Sequence, residues 1–185
     1  MIRHTKGAPA AIQKGLQRIF IPASQMKEGV GSPTYTTQGI SPIWQLDAQT
    51  LASVYADVGI PLDWVAPTDM WAYPVFAMSA DVYANIRFGL EYLPMARGIS
   101  IAGTVRRIES TIAADGTGTV IPRKEEWLTI EGIRIAANEP HFQLDDFTRI
   151  ANMQLEIYRD GTSNLDEHPG NLYLMGLAIV YQAYI

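Results

Sequence analysis

The chain contains no cysteine. That excludes a disulfide framework and any thiolate metal site. Histidine is scarce too: His4, His141 and His168 are the only three, and no two stand at a zinc-gripping spacing. No G-x-S-x-G elbow and no phosphate-cradling glycine loop occur. No stretch reaches the roughly 18 apolar residues of a membrane-crossing helix. Helical periodicity is nearly missing. Only residues 9–18, PAAIQKGLQR, predict a short helix, with Pro9 in its first turn. The first 20 residues are basic but lack the apolar centre of a signal peptide. Folding is therefore expected where the chain is translated.

Carboxylates are plentiful, but their spacing does not suit catalysis. The closest pairs are Asp145-Asp146 and Asp166-Glu167. A glycoside hydrolase needs two carboxyl groups about 5–10 Å apart across a cleft. Neighbours on a strand point to opposite faces instead. Residues Asp160 to Asp166 do not carry the ligand spacing of a calcium loop. Arg159 beside Asp160 reads as a local ion pair or turn anchor. The expectation is a protein that is not an enzyme and has no catalytic residue, cofactor or metal.

What is present is alternation. Residues 82–93 place Val82, Ala84, Ile86, Phe88, Leu90 and Tyr92 on one face, with Tyr83, Asn85, Arg87, Gly89, Glu91 and Leu93 on the other. Residues 50–58, 71–79, 99–110 and 127–136 read as further strands, the second interrupted by Pro74 and therefore expected at an edge or bulge. Residues 150–159 and 172–181 alternate around Asp160-Gly161-Thr162-Ser163-Asn164, which is turn chemistry. They predict a long antiparallel hairpin whose last strand seals the domain. Tyr173, Met175, Leu177, Ile179 and Tyr181 share one face, and Leu172, Leu174, Ala178 and Val180 share the other. A strand apolar on both faces is covered on both. About eight antiparallel strands with irregular connections suit a jelly roll better than a tight barrel. An immunoglobulin-type sandwich is the alternative, without the Cys…Trp…Cys signature.

Charge is uneven. Residues 1–46 hold Arg3, Lys6, Lys14, Arg18 and Lys27 against Glu28, a net of +4, whereas the remainder carries −9. The first segment is also broken by glycine and proline. It reads as an extended basic N-terminal arm over residues 1–43, ahead of a sandwich domain over residues 44–185. The acidic remainder disfavours nucleic acid. The four tryptophans and nine tyrosines suit core and subunit seams better than sugar stacking.

From Trp44 to Tyr181 the chain resembles the small jelly-roll structural proteins of tailed bacteriophages. The residues that carry the resemblance are Trp44-Gln45-Leu46-Asp47, then Pro61-Leu62-Asp63-Trp64, and then the long alternating strand. A strand ending Tyr158-Arg159-Asp160 follows, and after a polar loop comes Leu174-Met175-Gly176-Leu177-Ala178-Ile179-Val180-Tyr181. The resemblance implies a virion component, usually trimeric, on the outer capsid surface after folding in the host cytoplasm. It implies a capsid decoration (cement) protein clamping neighbouring major capsid subunits. The alternative is a head-fibre or tail-fibre module recognising host surface glycans, and a glycan-cleaving enzyme is a distant third. Under the first reading the arm residues Arg3, Lys6, Lys14, Arg18, Phe20 and Lys27 touch the shell. Tyr83, Tyr173, Met175 and Tyr181 are candidates for the seam of a homotrimer. The partners are then further copies and the major capsid protein, with no membrane.

Overall fold

The computed structural model describes residues 14–64, 68–95, 105–114, 116, 118–130 and 152–184. The strands run β1 (Lys14–Pro22), β2 (Lys27–Glu28), β3 (Thr34–Gln38), β4 (Ser41–Leu46), β5 (Leu51–Gly59) and β6 (Met70–Met78). They continue as β7 (Ala84–Met95), β8 (Arg106–Ala114), β9 (Leu128–Ile130), β10 (Asn152–Asp160) and β11 (Leu172–Tyr184). One sheet has the order β3-β4-β11-β6-β9, with β1 also on β11, and the other the order β2-β5-β10-β7-β8. Every pairing is antiparallel. Counting β4 to β11 as one to eight, the sheets read 1-8-3-6 and 2-7-4-5. That is the strand order of a jelly roll, as the alternation predicts.

The core lies between the sheets. Ile86, Phe88, Leu90 and Tyr92 of β7 point into it, with Val54, Val58, Phe76, Ile112, Met153, Leu155 and Ile157. Of the two faces of β7, the one carrying Ile86, Phe88, Leu90 and Tyr92 is thus the buried one. Trp44 and Trp64 belong to the same core, and their indole N–H groups donate to Ala23 O at 2.9 Å and Thr68 Oγ1 at 3.1 Å.

Two expectations are corrected. The C-terminal hairpin does not form: β10 pairs with β5 and β7, whereas β11 pairs with β1, β4 and β6. Both edges of each strand are already occupied, so the connection crosses from one sheet to the other. Residues 14–18 are strand, not helix, because β11 outruns β4. β4 covers only Leu172–Leu174 of β11, and β1 fills the remaining edge from Gly176 to Tyr184. Residues 14–43 are therefore part of the sandwich, and only the described residues from Lys14 onward bear on the arm. Residues 1–13, including Arg3 and Lys6, lie outside the described residues, as do 131–151, including His141, Asp145 and Asp146. Pro74 pairs with Leu177 of β11, next to the irregularity between Leu174 and Gly176, and has no described strand partner on its other side, in keeping with the edge-or-bulge expectation. β9 pairs only with Met70–Ala72, and Val120 bridges Phe76 beyond it, so no described partner needs the missing N–H.

The crossing loop is held by Arg159, whose side chain is 0% exposed. Its guanidinium donates to Asp166 through Nε (2.8 Å) and Nη2 (2.6 Å). It also donates to the carbonyls of Gly170 and His168, each at 2.6 Å. The planar fork satisfies a carboxylate and two loop carbonyls at once, which a lysine cannot do. His168 is buried as well: Nδ1 accepts from Gly170 N–H, leaving Nε2 to donate to Val82 O at 3.1 Å. Asp160 caps the turn, accepting from the N–H and hydroxyl of Thr162. The turn-anchor expectation for Arg159 holds, with Asp166 rather than Asp160 as its partner. Arg159→Met strands a buried carboxylate and should cost about 3–5 kcal/mol. Arg159→Met with Asp166→Leu removes both charges and should lose less. Urea denaturation of the two variants checks this; equal losses would show that the pair is not coupled.

Candidate functional site

The two outer faces of the sandwich differ in chemistry. On the six-stranded sheet, β11 carries a bulge between Leu174 and Gly176. Before it, Leu172 and Leu174 point inward; after it, Leu177, Ile179, Tyr181 and Ala183 do. Ala178 and Val180 therefore face out. They form a second apolar cluster with Tyr73, against which Trp71, Val75 and Trp127 pack. Trp127 lies stacked on Tyr73, with ring centroids 4.6 Å apart and 18° between planes, and its indole N–H donates to Pro122 O. Register extends the face onto β1. Phe20 is opposite Ala178, Arg18 opposite Val180 and Lys14 opposite Tyr184. Phe20 is 46% exposed and lies across Gly176, where any Cβ would collide with its ring. Lys14 Nζ is 5.9 Å from the Tyr184 ring centroid.

The expected shell-contact and seam residues fall out as follows. Lys14, Arg18 and Phe20 share this outer face of β1. Lys27, on β2, belongs to the other sheet. Tyr173 pairs with Gln45 and Ala77 at the far end of β11, and Met175 is the residue skipped by the register at the bulge. Tyr181 is corrected: the bulge turns it into the core, where its hydroxyl donates to Asp63 at 3.2 Å. Tyr83 is 69% exposed on the loop before β7, away from the others. The bulge is the feature that strict alternation missed; Gly176, small enough to admit Phe20, was its one sequence signal.

The outer face of the five-stranded sheet is polar. All five strands are in register, so Lys27, Tyr55, Glu156, Glu91 and Arg107 form one row across it. Ser53, Tyr158, Gly89 and Glu109 form the next. The Tyr158 ring fills the space over Gly89, where a Cβ has no room. Its hydroxyl donates to Glu109 (2.8 Å) and accepts from Arg107 Nε (2.6 Å), and the guanidinium lies 4.8 Å from the ring centroid. Burial, and then the bond to Glu109, push the Tyr158 phenol well above its ordinary value, with Arg107 pulling the other way. Partial burial pushes the Glu109 carboxyl up, but hydrogen bonds from Tyr158 and Arg87 outweigh it and leave the carboxyl below its usual range. A groove of about 430 Å³ runs beside this network, lined by Lys27, Glu28, Tyr55, Asp57, Glu91 and Glu156 among others.

Both members of the Asp166-Glu167 pair are engaged within the fold. Asp166 is clasped by Arg159, and Glu167 accepts from Asn85 Nδ2 at 3.2 Å. Among the described residues no three histidine or carboxylate groups gather as metal ligands, and no helix is long and apolar enough to cross a membrane. Gly89→Ala should destabilise the fold by about 1–3 kcal/mol by overpacking against Tyr158. Tyr158→Ala in the same chain should make the added methyl nearly neutral. Thermal melts of the single and double variants check this; an additive loss would show that the ring is not the obstacle.

No protein-family model matches the chain, and no curated protein does. Solved structures similar to it include the following two. One is the CBM36-1 domain of a multidomain xylanase from the hindgut metagenome of Trinervitermes trinervoides, with a TM-score of 0.48 and 11% identity, covering 88% of this chain and 96% of that one. The other is infectious bursal disease virus, Gt strain, with a TM-score of 0.33 and 15% identity, covering 99% of this chain and 36% of that one. The fold itself stands on the strand order of the two sheets: this chain is an all-β antiparallel jelly-roll sandwich.

Proposed function

We propose that the protein is a non-enzymatic virion component, a trimeric capsid decoration protein whose copies meet through the outer face of the six-stranded sheet. The observation that supports this is the chemistry of that face. The outer side of an antiparallel sheet is ordinarily solvated and polar. Here Tyr73, Ala178 and Val180 are buried beneath neighbouring side chains of the same face, and the exposed Leu16, Phe20 and Tyr184 with the partly exposed Trp71 and Val75 leave apolar surface over them. A contiguous aromatic and aliphatic face of this kind marks a surface that another protein covers. Aromatic anchors surrounded by lesser contacts are how such seams concentrate their energy.

Lys14 and Arg18 border the seam. The basic residues Arg3 and Lys6, ahead of β1, are assigned to the major capsid protein. Repeated over a symmetric lattice, modest contacts of this sort sum to tight attachment. The resemblance in sequence from Trp44 to Tyr181 supports the virion assignment, and the face supplies the physical means of assembly. Removal of residues 1–40 would strip β1 to β3 from the sheets, so the shell contact is tested by removing residues 1–13 alone.

Light scattering should give a trimer for the full chain. Phe20→Glu and Trp71→Glu, both at partly exposed positions, should each weaken association by about 2 kcal/mol or more, roughly a 30-fold rise in dissociation constant. The melting temperature at low concentration should change little. Removing residues 1–13 should leave the trimer intact and lower binding to undecorated capsids. A monomer at all concentrations, or a trimer indifferent to both glutamates, overturns the seam. Capsid binding unchanged by the truncation overturns the shell contact.

A further inference from the structure

The groove on the opposite sheet has no part in the assembly proposed above. Its volume, about 430 Å³, lies within the range of small-molecule and cofactor clefts, roughly 300–1,000 Å³. Its walls are built by register, not by a loop. β2, β5, β10 and β7 place Lys27, Tyr55, Glu156 and Glu91 side by side, and Asp57, Gln154 and Leu93 form the row beside them. Adjacent strands are about 4.8 Å apart, so the wall is a flat, regularly spaced set of polar groups.

The groups on that wall point to one ligand chemistry. Glu156 and Glu91 stand directly opposite each other, an arrangement that costs a sheet stability. The neighbouring cation does little to relieve it. Arg107 directs its fork to Glu109 at 3.0 Å and to Tyr158, and reaches Glu91 only at 3.7 Å. Glu156 is held from the other side, where Ser53 Oγ donates to one of its oxygens at 2.7 Å. Glu156 is thus a fixed acceptor lining the groove, with Glu91 opposite it. Tyr55 lies beside them and is 42% exposed, and Leu93 and Val105 add apolar wall. Charge on the lining comes from Lys27 against Glu28, Asp57, Glu91 and Glu156, a net of −3. Such a wall repels phosphate, sulfate and sialic acid. It accepts hydrogen bonds from hydroxyl donors and offers an aromatic ring to C–H surface. A neutral carbohydrate has both.

We infer that this groove binds a neutral oligosaccharide, with Tyr55 as the ring that packs against a sugar and Glu156, Glu91, Asp57 and Gln154 as the groups that take its hydroxyls. The site is independent of the seam, since the two lie on opposite outer faces.

Isothermal titration calorimetry of the full chain tests this. The probes are neutral hexasaccharides of glucose, xylose, mannose and galactose, with a heparin hexasaccharide and a hexalysine peptide for comparison. At least one neutral sugar should bind with Kd below about 1 mM, and heparin should not. Tyr55→Ala should weaken that binding at least tenfold. Glu156→Gln, which keeps the size of the side chain, and Asp57→Asn should each weaken it several-fold with unchanged melting temperature. Tyr83→Ala, off the groove, should have no effect. Phe20→Glu should bind sugar as well as the native chain even if assembly is lost. Silence from all four neutral sugars overturns the inference, as does sugar binding indifferent to Tyr55 and Glu156. Binding of hexalysine without any sugar would assign the groove to a basic peptide and overturn it equally.

Discussion

The bulge between Leu174 and Gly176 is the constraint on which the rest of the molecule turns. β11 is the central strand of its sheet, bonded to β6 on one edge and to β4 and then β1 on the other. A single extra residue swaps the parity of everything after it. With the swap, Leu177, Ile179 and Tyr181 fill the core and Ala178 and Val180 line the outside. Without it, the smaller side chains would be left to fill the core while three large ones met solvent. The bulge falls where β4 gives way to β1 along the same edge. There Gly176 lets Phe20 lie flat on the sheet. Core, outer face and docking of the first strand are thus set at one point.

From this follows a sandwich with two unlike exteriors. One is aromatic and aliphatic, bordered by Lys14 and Arg18. The other is a polar lattice in which hydrogen bonds from Arg87, Arg107 and Tyr158 converge on Glu109 beside a groove walled by acids. Antiparallel strand pairing keeps both surfaces in place. The crossing loop is held as well, since Arg159 ties Asp166, His168 and Gly170 into one buried unit. The proposed assembly and the proposed sugar binding thus draw on separate faces.

Much of the fold was legible because period-2 alternation is a direct image of burial. β7 could be read face by face, and β5, β6 and β10 lay within a residue or two of their expected bounds. What failed has physical causes. β1 alternates, but Arg18, Phe20 and Leu16 on its outer side make it look like a basic amphipathic segment. Glycine and proline around it suggested an arm. The pairing partner that makes it a strand lies more than 150 residues away in sequence, which no local pattern reports. The β10–β11 hairpin looked sound because its turn chemistry is real; Asp160 does cap a turn. Sheet membership depends on edges already taken by β5, β7, β6, β4 and β1. The groove was invisible for the same reason. Lys27, Tyr55, Glu156 and Glu91 are scattered along the chain and meet only through register across four strands.

The most direct measurement is hydroxyl-radical footprinting by mass spectrometry, comparing the assembled protein with the dissociated chain. Radical attack reports the solvent exposure of individual side chains. The account predicts that Phe20, Leu16 and Trp71 become protected on assembly while Tyr55 and Tyr83 stay reactive. Protection of Tyr55 with Phe20 and Trp71 left open would contradict it, placing the seam on the polar sheet instead.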